Sequence, residues 1–84
     1  MNSKSKKILA KILSGKADYN IRFKDFYNII LNLGFEFDGQ DGTSHIQFYH
    51  PKYDVYMNVQ KDDGTAKPYQ VRQLRKLIQK YKMG

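Results

Sequence analysis

The stretch Leu33-Gly34-Phe35-Glu36-Phe37, followed through to Gly42-Thr43-Ser44-His45-Ile46-Gln47-Phe48, is where the chain passes from helical to alternating spacing. From Ser44 onward Ile46 and Phe48 point one way and His45, Gln47 and Tyr49 the other, the period-two geometry of a half-buried strand. His45 is therefore expected on the face opposite the core. It is also the residue suited to chemistry, because an imidazole with an unperturbed pKa of about 6.5 both takes and gives a proton near neutral pH. The other histidine, His50, stands beside Pro51 and reads as a solvated loop residue.

Upstream of this stretch, Phe23, Phe26, Tyr27, Ile30 and Leu33 recur at three- and four-residue spacing, which predicts a helix with Lys24, Asp25, Asn28 and Asn32 turned outward and Gly34 as its left-handed cap. A shorter helix precedes it, capped by Ser3 or Ser5, striped by Ile8, Leu9, Ile12 and Leu13, and ended by Gly15. Phe35 to Asp38 alternates as a first strand, and Gly39-Gln40-Asp41-Gly42 is a turn signal.

Downstream, a second strand from about Thr43 to Tyr49 and a third from Tyr53 to Gln60 flank His50-Pro51-Lys52, where Pro51 stops the ladder. Matching Ile46 and Phe48 to Val55, Met57 and Val59 gives a register that pairs His45 with Asn58, Gln47 with Tyr56 and Tyr49 with Asp54. Lys61 to Thr65 reads as a loop, and Pro68 fits the first position of a last helix reaching about Lys82. Val71, Leu74, Ile78 and Tyr81 form its buried stripe, with Arg72, Arg75, Lys76, Gln79 and Lys80 on a basic outer face. The expected order is α-α-β-β-β-α: an α+β domain with helices on one face of a three-stranded antiparallel sheet, the topology of double-stranded-RNA-binding domains.

The 84 residues allow one domain, burying about 60–65% of the surface that the unfolded chain exposes. A net charge of +7, from 15 Lys and Arg against 8 Asp and Glu, favours polyanionic partners. With no cysteine there is no disulfide, thiolate metal site or cysteine nucleophile, a composition that fits a cytoplasmic protein. The early apolar residues are interrupted by Lys11 and form no signal-peptide run, and no stretch is long and apolar enough to span a membrane.

His45 has a plain alternative as a surface histidine on a strand. Its place after a glycine-containing turn, and Asn58 as an expected cross-strand neighbour able to orient the ring, favour chemistry. His45 and His50 differ by an odd number of residues, so one strand puts them on opposite faces, which argues against a shared metal; no cofactor is expected. By the same parity Ser44 faces away from His45, and its hydroxyl is read as fixing the turn. Asp38, Asp41, Asp62 and Asp63 fall in turn positions where aspartate bonds the local backbone, and none is assigned catalysis. The basic clusters, with Tyr49 and Tyr56 exposed for stacking, suit single-stranded RNA better than duplex DNA. A non-catalytic RNA-binding module uses the same surface and remains the alternative. A third alternative, a DNA-binding last helix, lacks helix-turn-helix spacing.

Four segments then resemble one known family, the HicA-type toxins of bacterial toxin–antitoxin systems. They are Lys11-Ile12-Leu13-Ser14-Gly15-Lys16, Leu33-Gly34-Phe35, Ser44-His45 followed by Phe48, and Ala66-Lys67-Pro68-Tyr69-Gln70-Val71-Arg72-Gln73, the last being the most specific. One departure is Thr43 directly before Ser44-His45, with the glycine a residue earlier at Gly42. The resemblance implies a fold like the double-stranded-RNA-binding domain and metal-independent, ribosome-independent cleavage of mRNA by a single catalytic histidine, which maps onto His45. It also implies a HicB-type antitoxin that covers the site, the toxin being a monomer on its own and hetero-oligomeric with that partner. RNA contacts are expected from Lys67, Arg72, Arg75, Lys76, Tyr49 and Tyr56, with Gly42, Ser44 and Asn58 supporting His45. From whole-chain charge, the occluding partner is expected to be acidic or shape-complementary.

Overall fold

The first helix begins where the Asn2 side chain accepts the Ser5 amide hydrogen at 2.8 Å, and it ends at Gly15 in the left-handed region. A computed structural model describes residues 1–42, 44–60 and 64–83; Thr43, Gly84, and Lys61, Asp62 and Asp63 of the expected loop lie outside the described residues. The elements are α1 (Ser3–Ser14), α2 (Phe23–Asn32), β1 (Glu36–Gln40), β2 (His45–His50), β3 (Val55–Gln60) and α3 (Pro68–Tyr81). The strands form one antiparallel sheet in the order β1-β2-β3. This is the expected α+β order, and no helix among the described residues is long and apolar enough to cross a membrane.

Alternation along β2 and β3 sends Ile46, Phe48, Met57 and Val59 inward against Ile12 of α1, Phe26, Ile29 and Ile30 of α2, and Val71, Leu74 and Ile78 of α3. The helical stripes face the core as read from the sequence except at Leu13, which is 39% exposed, and the cap of α1 is Asn2 rather than Ser3 or Ser5. Phe48 is fully buried and meets the Tyr27 ring edge-on at 5.3 Å between centroids. Filling this position with an aromatic ring contributes roughly 1.5–3 kcal/mol of apolar burial.

Four further expectations are corrected. The β2–β3 register is displaced by two residues: His45 pairs with Gln60, Gln47 with Asn58 and Tyr49 with Tyr56. The connection is a four-residue turn, Pro51 to Asp54, in which Asp54 takes φ 54°, a left-handed conformation that aspartate tolerates better than most residues. A two-residue shift keeps every side chain on its face, so the core does not distinguish the registers; the turn does.

His50 is not a solvated loop residue but the last residue of β2, 5% exposed. It shares the parity of Ile46 and Phe48. Its Nε2 lies 2.9 Å from the Leu33 carbonyl oxygen, and only a protonated nitrogen donates to a carbonyl, so the hydrogen sits on Nε2. The ring packs on Phe35 and Tyr53. Gly34 makes room for it: at φ 103° a Cβ there would stand 2.7 Å from His50 Nε2.

The first strand runs Glu36–Gln40 rather than Phe35–Asp38. Between Phe37 and Gly39 the pairing slips, leaving Asp38 as the extra residue of a bulge with Gly39 at φ 145°. Asp38 therefore lies in a strand, not in a turn, and Phe37 on this edge strand is 52% exposed.

Arg75, expected on the basic outer face, turns inward. Its guanidinium donates to Asp18 Oδ1 at 2.8 Å and Oδ2 at 3.2 Å, and to the Ile12 carbonyl at 3.0 Å. One side chain of α3 thereby holds the end of α1 and the segment after it. The Asp18 side chain is 9% exposed and that of Arg75 18%, so the pair is partly shielded from solvent. The bond from Arg75 outweighs the opposing effect of burial and holds the Asp18 carboxyl below its ordinary 3.8.

Replacing Arg75 by alanine leaves the buried Asp18 carboxylate without its guanidinium and the Ile12 carbonyl with only the longer bond from the Gly15 N–H, 3.4 Å, and is expected to cost about 2–3 kcal/mol in urea unfolding at pH 7. Because the folded pKa of Asp18 is depressed, its contribution is complete above pH 3.8 and is lost as pH falls through the folded value. The stability gap between wild type and Asp18→Asn should accordingly close in unfolding curves recorded progressively below pH 3.8. Gly34→Ala combines a left-handed alanine with the contact on His50 and should lower the thermal midpoint by an amount equivalent to about 2 kcal/mol or more.

Candidate catalytic cleft on the exposed sheet face

Among the described residues no helix covers the second face of the sheet. Its side chains lie in three cross-strand rows: His45 with Gln60; Gly39, Gln47 and Asn58; and Glu36, Tyr49 and Tyr56. At about 3.3 Å per residue, the tyrosine row lies roughly 13 Å along β2 from His45.

His45 is exposed, as its parity requires, and lines a shallow cleft of about 230 Å³ with Asp38, Gly39, Asp41, Ile46, Gln47 and Asn58. The bulge is what brings Asp38 here, where its Oδ2 accepts from Gln47 Nε2 at 2.7 Å. Asn58 does not pair with His45, as the expected register had it, yet it reaches the same cleft from one row over. Gly42 and Ser44 belong to the bend that leads into β2, Gly42 exposed and Ser44 half-buried. His50, on the core face, takes no part.

The start of α3 is fixed beside this end of the sheet by a residue that the sequence reading passed over. Gln70, 3% exposed, accepts the Gln60 amide hydrogen at 3.3 Å and donates to the Asn58 carbonyl at 3.4 Å. The available signal was a polar residue four positions before Leu74, on the buried stripe. The chain entering α3 is held from below by Phe23 N–H to the Gly64 carbonyl at 2.9 Å and Ala66 N–H to the Ile21 carbonyl at 2.7 Å. Lys67 stands half-buried at the N-cap position, while Arg72 and Lys76 are exposed on the helix. Arg75, engaged with Asp18, is not among the cations this helix presents.

At the far row, Tyr49 and Tyr56 are 4.8 Å apart between ring centroids, and Tyr56 is 57% exposed. The Tyr49 hydroxyl donates to Asp54 Oδ1 at 3.0 Å, which fixes the ring and, first among its causes, raises the phenol above 10.0. Burial and the neighbouring Asp54, Tyr56 and Glu36 push in the same direction.

A model of the HicA toxin of bacterial toxin–antitoxin systems matches residues 23–79, more than half of the chain. The chain belongs to the HicA toxin family. The matched segment contains the whole sheet, His45 and the first twelve residues of α3; α1 lies outside it. No curated protein and no solved structure gives a significant match to the chain. As a HicA-family member the protein stands as the toxin side of a toxin–antitoxin pairing.

Replacing Asp54 by asparagine, which accepts the same left-handed backbone, removes the anion that holds the Tyr49 proton. The Tyr49 ring resonances, followed through an alkaline titration, should then titrate closer to 10.0 than in the wild type, with the fold unchanged.

Proposed function

We propose that this HicA-family toxin is a metal-independent, ribosome-independent endoribonuclease that cleaves mRNA with His45 as its acid–base group. The observation carrying this reading is the position of His45: an exposed imidazole in a polar cleft on the uncovered sheet face, beside the start of α3. The nucleophile is RNA's own 2′-hydroxyl. Neutral His45 takes its proton as the oxygen attacks the adjacent phosphorus while water protonates the departing 5′-oxygen, or protonated His45 protonates that oxygen while water takes the 2′-hydroxyl proton. The P–O5′ bond breaks, and the products end in a 2′,3′-cyclic phosphate and a 5′-hydroxyl. DNA has no such hydroxyl and stays intact.

Phosphate contacts come from Lys67, Arg72 and Lys76 on the α3 side, where the helix amino end adds its own attraction for anions although Pro68 withholds one donor. Tyr49 and Tyr56 offer stacking surface to an unpaired base about two nucleotides from the scissile bond, and Asn58 offers hydrogen bonds to substrate in the cleft. Gly42 and Ser44 shape the bend that presents His45. The physiological partner in this reading is a HicB-type antitoxin that closes the cleft, the free toxin being a monomer.

Purified wild-type and His45→Ala protein incubated with protein-free mRNA in excess chelator decide the matter. Cleavage by the wild type with cyclic-phosphate ends, and a loss of about 10²–10⁴-fold in the variant, is the expected result. Products ending in 5′-phosphate and 3′-hydroxyl would overturn the mechanism, and RNA binding by both proteins with cleavage by neither would leave a non-catalytic binding module.

A further inference from the structure

The charge of the whole chain and the charge of its uncovered sheet face have opposite signs. None of the strand residues is Lys or Arg; among the described residues every Lys and Arg is on a helix or in a connection. The face instead presents Glu36 beside Tyr49 and Tyr56, Asp54 bonded to Tyr49, and Asp38 and Asp41 around His45. Its main feature is the tyrosine pair, with Tyr56 more than half exposed on a face that no helix among the described residues covers.

An exposed aromatic pair rimmed by carboxylates complements a cation with a planar or apolar body. Guanidinium stacks on tyrosine faces and forms paired hydrogen bonds to carboxylate, which lysine does less well. We propose that the outer face of the sheet is a docking surface for an arginine-bearing segment of a partner protein, seated on Tyr49 and Tyr56 between Glu36 and Asp54. The inference rests on the toxin–antitoxin reading for the partner's identity and, of the two expectations of an acidic or a shape-complementary partner, departs from the acidic one at this face. A segment lying along β2 from that seat reaches the His45 cleft within about 13 Å. The seat overlaps the stacking surface assigned to RNA, so partner and substrate compete for it.

The test uses ¹⁵N-labelled full-length His45→Ala protein, which keeps the face while removing the proposed chemistry, titrated with a capped ten-residue peptide carrying four arginines and with its glutamate counterpart. Amide shifts on the arginine peptide should concentrate at Glu36, Tyr49, Asp54 and Tyr56, and the glutamate peptide should leave these positions still. Glu36→Gln with Asp54→Asn should weaken the arginine peptide by roughly fivefold or more, two exposed ion pairs being lost, and Tyr56→Ala should weaken it with the charges intact. Retention of the dispersed amide spectrum shows that each variant is folded. Shifts at the face from the glutamate peptide, no shifts there from the arginine peptide, or affinity indifferent to these substitutions would overturn the proposal. Growth after expression of the wild type is scored separately. Growth unaffected by the toxin would count against the toxin reading, while the peptide map alone decides the chemistry of the face.

Discussion

The central strand serves two environments at once, and the rest of the molecule is arranged around that constraint. Residues 46, 48 and 50 of β2 are buried while 45 is exposed and 47 and 49 are half-exposed. A strand with this pattern can be covered on one side only, so all three helical stripes are drawn to the same face. The side chains proposed to meet RNA on the sheet are left on the other. His45 is exposed because Ile46 and Phe48 are not.

Fixing where along that face each residue stands falls to irregular features. The four-residue turn with its left-handed Asp54 sets the β2–β3 register, and the same aspartate then anchors Tyr49. The bulge at Asp38 carries a carboxylate into the His45 cleft that regular pairing would not place there. Gln70 joins the amino end of α3 to the final row of the sheet. Two of these three features rest on residues whose ordinary expectation is a solvated turn, and the third on a polar residue in a buried stripe.

Helix stripes, strand faces and the outward direction of His45 were legible because they depend on periodicity, which local sequence carries in full. Register was not, since pairing His45 with Asn58 or with Gln60 buries the same side chains. His50 was legible in principle: it has the parity of Phe48, and only the adjacent Pro51 pointed to solvent. Arg75 had half a signal, lying one residue after Leu74 on the rim of the stripe. Its partners Asp18 and Ile12 stand 57 and 63 residues away, beyond any local pattern. The polarity of the molecule was present in the sequence but required the strand boundaries, because total charge says nothing of where the lysines and arginines are absent.

The Arg75 clasp also places the molecule in time. It joins a helix outside the family-matched segment to the last helix within it, and a chain emerging from the ribosome makes its amino end first. Until Arg75 has been synthesised, Asp18 lacks the guanidinium that it faces in the finished fold, and α1 is held by its apolar stripe and by exposed contacts such as Asn32 Nδ2 to Ser5 Oγ and Lys4 to Asp25. The Gln70 tether is likewise missing until the final helix forms. Both tethers therefore depend on the same late element, and the finished cleft exists only once that helix has been made.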